Sequence, residues 1–301
     1  VGSASTTFDD LLAIARWPIV LVAMTACVAF GWIETGERLW VVALVCGLDW
    51  FLINLMNRIT DVAEDLANGI AGTSLVARHQ RALTIFCAAL LVGSFVLGHL
   101  AWPALTPARV AVQLIGLGYN YPIVPTPKGF SRFKEMYFFK NFGSAVLFVL
   151  TCFVYPLLAG PARIASAGTI ATLVLFFVPF ELTYEILYDL RDIDGDRQEG
   201  VPTYPVVHGA ERARQIIDAL LVVAGVALVV GLALGAIGVR EGLMLVAPFS
   251  QRAFYRPRYA KGLTPRDCIV LTHLGSAQVA LWIAGTWAWS LAGLPANIYL
   301  R

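Results

Sequence analysis

Tyr184-Glu185-Ile186-Leu187-Tyr188-Asp189-Leu190-Arg191-Asp192-Ile193-Asp194-Gly195-Asp196 closes a long apolar run that begins near Ala165. An earlier stretch, Asn57-Arg58-Ile59-Thr60-Asp61-Val62-Ala63-Glu64-Asp65, closes another that begins near Leu39. On a helix, Asp189, Asp192 and Asp196 fall at i, i+3 and i+7 and share one face. Asn57, Asp61 and Asp65, at i, i+4 and i+8, do the same. Carboxylates stacked at this spacing repel each other unless a cation lies between them. Hard oxygen donors with room for water suit Mg²⁺, which takes one or two carboxylates plus substrate phosphates. Two such ladders facing each other would clamp a diphosphate from both sides; either ladder alone reads equally well as a solvated helix end.

The runs that carry these ladders decide the fold class. Of the 301 residues, 58% are hydrophobic and 14% charged, with a mean hydropathy of +0.72. Soluble domains average about 25% charged, so the chain is read as an integral, multi-pass membrane protein. The runs are too long and uniform for barrel strands and are read as helices. The expected fold is all-α, a bundle of nine transmembrane helices around a central cavity. The spans are expected at about Trp17–Ile33, Leu39 into the first ladder, Ala82–Trp102, Ala108–Tyr121, Met136–Leu158, Ala165–Tyr188, Ile216–Ile237, Glu241–Phe254 and Cys268–Leu291. Polar loops are expected over Gly69–Gln80 and Asp192–Arg214, and a Pro-rich basic loop over Pro122–Glu135. A formal charge of +2 gives no basic surface of the kind nucleic acid demands. None of the five cysteines makes a CxxC or Cys/His pair, so neither a thiolate metal site nor a disulfide frame is expected.

Charge sets the expected topology. With nine spans, all but five of the 22 Lys and Arg residues fall on the side of the N-terminus; the exceptions are Arg38, Arg109, Arg163, Arg240 and Arg301. The positive-inside rule makes that side, with the N-terminus and both acidic ladders, cytoplasmic. The chain is expected to be a single domain of two pseudo-repeated halves, about 16–130 and 131–301, because spans two and six each end in an acidic ladder followed by a basic loop. The site is placed between the halves.

A membrane site with two Mg²⁺-suited ladders needs a polyanionic substrate with a greasy tail, and a prenyl diphosphate meets both demands. Arg132, Lys134 and Lys140 lie in the neighbouring basic segment and could hold phosphate oxygens. An allylic cation needs a dry chamber, and aromatic faces stabilise cations. The sequence has 17 Phe, ten Tyr and eight Trp, although most of these would serve equally as lipid-facing or interfacial rings.

These residues resemble a known family. Asn57-x-x-x-Asp61-x-x-x-Asp65 and Tyr184-x-x-x-Tyr188-Asp189-x-x-Asp192-x-x-x-Asp196 resemble the two signatures of the UbiA superfamily of intramembrane prenyltransferases. Arg132-Phe133-Lys134-Glu135 with Lys140-Asn141, and Gly200-Val201-Pro202-Thr203-Tyr204-Pro205-Val206, resemble weaker segments of it, so that the resemblance covers about residues 16–215. It implies nine transmembrane helices, a large cavity, Mg²⁺ as cofactor, a cytoplasmic cap, and transfer of a prenyl group to an acceptor, often aromatic. By that resemblance Asp61, Asp65, Asp192 and Asp196 bind the metal–diphosphate, Asn57 and Asp189 assist, and Lys140 contacts the diphosphate.

The sequence departs from the family in three places. Tyr188 stands where the family usually has Lys, so a phosphate contact is lost or replaced by a hydroxyl. The segment Asn68-Gly69-Ile70-Ala71-Gly72-Thr73 lacks the usual Lys and Arg-Pro. Asp49 and Glu181, two turns before Asn57 and Asp189, are additional acids within spans. Intramembrane acids default to function, and both are expected to face the deep cavity with Tyr184 and Tyr188 as substrate-binding residues; the alternative is a structural acid bonded to a neighbouring helix. These departures keep a second reading open, a terpene cyclase on the same scaffold, in which the cation closes on itself without an acceptor. A cation transporter fits less well, because its acids would sit at the midplane.

Overall fold

The computed structural model describes residues 5–67, 69–127, 129–259 and 261–300. A short helix α1 (Ser5–Ile14) leads into α2 (Trp17–Thr35). Arg16, between them, is left-handed at φ 46°, and Pro18 occupies the first turn of α2, where its missing N–H has no helical acceptor to lose. The chain continues as α3 (Trp40–Thr60), α4 (Val62–Ala67), α5 (Thr73–Ala101) and α6 (Thr106–Asn120). After a two-stranded hairpin, β1 (Val124–Thr126) against β2 (Gly129–Ser131), it forms α7 (Tyr137–Val149). A π turn over Leu150–Val154 carries α7 into α8 (Tyr155–Ala159). The remainder is α9 (Ala167–Glu199), α10 (Tyr204–His208), α11 (Ala210–Ala233), α12 (Val239–Gly242), α13 (Val246–Tyr259) and α14 (Pro265–Leu291).

Seven stretches among the described residues are long and apolar enough to cross a membrane: 17–35, 40–60, 73–101, 139–159, 167–198, 210–233 and 265–291. This is an all-α, multi-pass membrane protein. At the positions of expected spans four and eight stand shorter helices, α6 of 15 residues and α13 of 14, below the roughly 20 residues of a usual span.

The boundaries differ from expectation at three informative places. The expected polar loop at 69–80 is helical from Thr73, kinked at His79, and α9 runs through the expected loop start at Asp192 as far as Glu199. Polarity marks where the bilayer ends, not where the helix ends, and Ala, Leu, Arg, Gln and Glu are good helix formers in water too. Asn68, in the former segment, lies outside the described residues. The Pro-rich loop holds the β1–β2 hairpin, with Val124 opposite Ser131. The first acidic ladder does not ride one helix: α3 stops at Thr60, Asp61 caps it at φ −102°, ψ 24°, and Asp65 sits on α4.

Asp49 lies at the middle of the packing between α3, α5, α6 and α8. Its Oδ2 accepts from Arg109 Nε at 2.9 Å and from the Tyr155 hydroxyl at 2.9 Å. Its Oδ1 accepts from Arg109 Nη2 at 2.7 Å and from Gln113 Nε2 at 3.0 Å. Arg109 also donates Nη1 to the Ser94 carbonyl at 2.7 Å. Asp49 and Arg109 are fully buried. The expectation that Asp49 faces the deep cavity is corrected: it does not line the cavity, because a carboxylate in an apolar interior is held by whatever cation and donors reach it. Gly98 on α5 makes room for this pair, since a Cβ there would stand 2.5 Å from Arg109 Nη1. That guanidinium is pinned on both sides and cannot move aside, so Gly98→Val should destabilise the fold by about 1–3 kcal/mol. A thermal midpoint in detergent unchanged from wild type would contradict this.

Candidate active site

The ends of α3 and α9 bring both acidic stretches to one cavity of about 830 Å³. Of the residues singled out in the sequence, Asn57, Asp61, Asp65, Lys134, Lys140, Glu181, Tyr184, Tyr188, Asp189, Asp192 and Asp196 line it; Asp49 and Arg132 do not.

The first cluster is knit by its own cations. Asp61 Oδ2 accepts from Asn57 Nδ2 at 2.6 Å and from Lys134 Nζ at 2.7 Å, and Oδ1 accepts from Arg132 Nη1 at 3.2 Å. Lys134 also reaches Glu64 Oε2 at 3.0 Å. Arg132 is thus placed behind Asp61 rather than on the cavity wall, fixed by a donation from its Nε to Glu135 Oε1 at 2.8 Å. Partial burial pushes the Glu135 carboxyl up, but hydrogen bonds and charge from Arg132, with Lys134, hold it below its usual value. Asp65 pairs with Arg58 at 2.8 Å, and Arg58 donates on to the Ala13 carbonyl at 3.1 Å, tying α1 to this cluster.

The second cluster lies along the last turns of α9. Lys140, from the first turn of α7, donates to Asp189 Oδ1 at 2.9 Å and Asp196 Oδ2 at 3.2 Å. Asn141 donates to Asp189 Oδ2 at 2.8 Å. Asp192 is gripped by Arg191 through both oxygens. The Tyr188 hydroxyl meets Thr272 Oγ1 at 2.9 Å, and the Arg191 guanidinium lies over the Tyr188 ring at 4.8 Å. Arg191, which lines the cavity, therefore supplies a cation next to the tyrosine that stands in the family's lysine position.

Away from the clusters the cavity wall is mostly apolar and aromatic, with Phe30, Trp50, Phe148, Phe176, Phe177 and Phe180 among its residues; Ser144, Glu181 and Glu185 are polar exceptions. These rings hold each other: Trp50 and Phe148 centroids are 4.3 Å apart, and Phe30 and Phe177 are 5.2 Å apart, edge to face. Trp50 Nε1 donates to Thr151 Oγ1 at 3.1 Å, which fixes its ring.

The donors suit Mg²⁺, being hard oxygens throughout. No group of three or more His, Cys, Asp or Glu side chains that could hold an ion by itself occurs among the described residues. An ion bound here would take part of its shell from substrate phosphate, as Mg²⁺ commonly does.

Sequence reasoning missed the cavity residues Arg58, Arg191 and Glu185. Arg58 and Arg191 were legible in principle, each being an arginine embedded in an acidic stretch. It also missed the Arg109–Asp49 pair, whose signal was an unmatched arginine in one apolar run and an unmatched aspartate in another.

The sequence matches the model of the family described as "UbiA prenyltransferase family" over residues 17–261. It is 35% identical over 108 residues to digeranylgeranylglyceryl phosphate synthase of Haloquadratum walsbyi, a match covering 35% of this chain and 37% of that protein. The chain thus spans little more than a third of the length of that relative. Among solved structures it resembles a UbiA homolog from Archaeoglobus fulgidus bound to GPP and Mg²⁺, with a TM-score of 0.69 at 16% identity over 91% of this chain and 97% of the other. The same homolog bound to DMAPP and Mg²⁺ gives a TM-score of 0.68 at 17% identity, covering 90% and 96%.

Proposed function

We propose that this chain, which belongs to the UbiA prenyltransferase family, ionises a prenyl diphosphate with Mg²⁺ and transfers the prenyl group to an acceptor. The observation that carries this reading is the convergence of two acid–base clusters on one aromatic-walled cavity of about 830 Å³. The lining carboxylates Asp61, Asp65, Asp192 and Asp196 would hold the metal, assisted by Asn57 and Asp189. When bound, Mg²⁺ would neutralise the diphosphate and stabilise it as a leaving group. Lys134 and Lys140, which the carboxylates now hold at 2.7 to 3.2 Å, would exchange those partners for phosphate oxygens. Asp189 would keep Asn141 when Lys140 turns to substrate. The tail would lie against Phe148, Phe177 and Phe180, whose faces stabilise the allylic cation and exclude water. We read α6 and α12–α13 as further spans, giving nine, with the N-terminus and the acidic clusters on the cytoplasmic side.

The test is purified protein in detergent with Mg²⁺ and geranyl, farnesyl and geranylgeranyl diphosphates, with and without aromatic and alcohol acceptors, followed by gas chromatography and mass spectrometry. Prenylated acceptor is expected. Cyclic hydrocarbons formed without acceptor would replace the transfer reading with that of a terpene cyclase. In the same assay Lys140→Met should raise KM for the prenyl diphosphate by about 10-fold or more, since a charge-assisted contact contributes about 1.5–3 kcal/mol. An unchanged KM would remove Lys140 from the phosphate site.

A further inference from the structure

Neither acidic cluster uses Glu181 or Glu185, which line the cavity one helical turn apart on α9. Along the helix axis Glu185 lies about 6 Å and Glu181 about 12 Å from Asp189, on the side of the apolar chamber. Glu181 is 5% exposed. Ser144 of α7 donates its hydroxyl to Glu181 Oε1 at 2.8 Å and lines the cavity beside Glu185. Glu181 Oε2 is buried without a hydrogen-bond partner among the described residues. The charges near Glu185 include Glu181, Asp189, Lys140 and Arg16, and Lys140 is already shared between Asp189 and Asp196.

Two carboxylates one helical turn apart beside Phe148, Phe177 and Phe180 repel each other, and the unpaired oxygen of Glu181 adds a further desolvation cost. An arrangement of that kind belongs where a proton is to be received. A carboxylate oxygen is satisfied by an O–H or N–H donor and not by a hydrocarbon tail. An amine would enter the chamber charged and without a free lone pair, whereas a hydroxyl enters neutral and nucleophilic.

We propose that Glu181, held by Ser144, and Glu185 one turn away form the proton-accepting site of the transfer, and that the acceptor substrate presents a hydroxyl to them. This rests on the prenyl-transfer reading above. The bond between C1 of the prenyl chain and the diphosphate oxygen breaks, and its electron pair leaves with diphosphate. A lone pair of the acceptor oxygen forms the new C1–O bond, and the hydroxyl proton passes to the carboxylate pair. The product is a prenyl ether.

The test compares wild type, Glu181→Gln, Glu185→Gln and the double variant with Mg²⁺, geranyl diphosphate and, in turn, glyceryl phosphate, phenol and a long-chain alcohol. Released diphosphate and prenyl ether are both quantified, and thermal midpoints establish that each variant is folded. Glutamine keeps the shape and hydrogen bonding but cannot take the proton. In the double variant, ether formed per diphosphate released should fall about 100-fold or more, with geraniol from capture by water making up the balance. A wild-type ratio in the double variant would overturn the proposal. So would a wild type that releases diphosphate yet makes no ether from any of the three acceptors. A wild type that releases no diphosphate overturns the functional reading itself, and the proposal with it.

Discussion

Asp61→Ala is expected to cut consumption of prenyl diphosphate by about 10²–10³-fold while the protein stays folded. The size of the loss would follow from removing a carboxylate proposed to hold the metal at the leaving group, since a single preorganised stabilising group contributes about 10²–10³-fold. The retained fold follows from the partners left behind. Lys134, with a side chain only 6% exposed, would be costly to strand, but it keeps Glu64 at 3.0 Å. Arg132 keeps Glu135 at 2.8 Å. Asn57 alone loses its side-chain acceptor, at a cost of about 1–3 kcal/mol. Asp192→Ala should behave alike, since the Asp192 side chain is 45% exposed and, among the described residues, pairs only with its neighbour Arg191. Diphosphate release and thermal midpoint, measured on the same preparation, separate the two effects. Full activity in either folded variant would remove that carboxylate from the metal site.

Asp49→Ala has the opposite profile. It strands the Arg109 guanidinium, whose side chain is 2% exposed, and takes an acceptor from Gln113 and from the Tyr155 hydroxyl. Breaking a buried pair from one side costs about 3–5 kcal/mol, because the remaining charge stays desolvated. The thermal midpoint should fall on the order of 10 °C. Removing both charges, as Asp49→Leu with Arg109→Met, should recover much of the loss, since a well-packed apolar replacement of a buried pair is often neutral. The product profile of prenyl transfer should not change in any variant that folds, as Asp49 does not line the cavity. A stable Asp49→Ala protein with altered products would reverse this assignment and return Asp49 to the substrate.

The amino-acid sequence by itself determined the membrane class, the all-helical fold and both acidic stretches. Those features are local: a run of apolar residues must satisfy its backbone within its own helix in a bilayer, and spacing along one helix puts Asp189, Asp192 and Asp196 on one face. The aromatic chamber was legible only as composition, because a ring on an apolar helix serves lipid or cavity equally until the neighbouring helices are in place. Tertiary structure decided which cation each acid meets. Asp49 and Arg109, 60 residues apart, meet because α3 and α6 pack together, and the meeting takes Asp49 out of the cavity. Tertiary structure also broke the first ladder at Asp61, so that Asp65 turned to Arg58. Glu181 kept its place in the chamber because Ser144 of α7 supplies a hydroxyl and no cation. The physical reason is one of range: helix formation and burial follow from neighbours a few residues away, whereas the fate of a buried charge depends on which side chains reach it across helices.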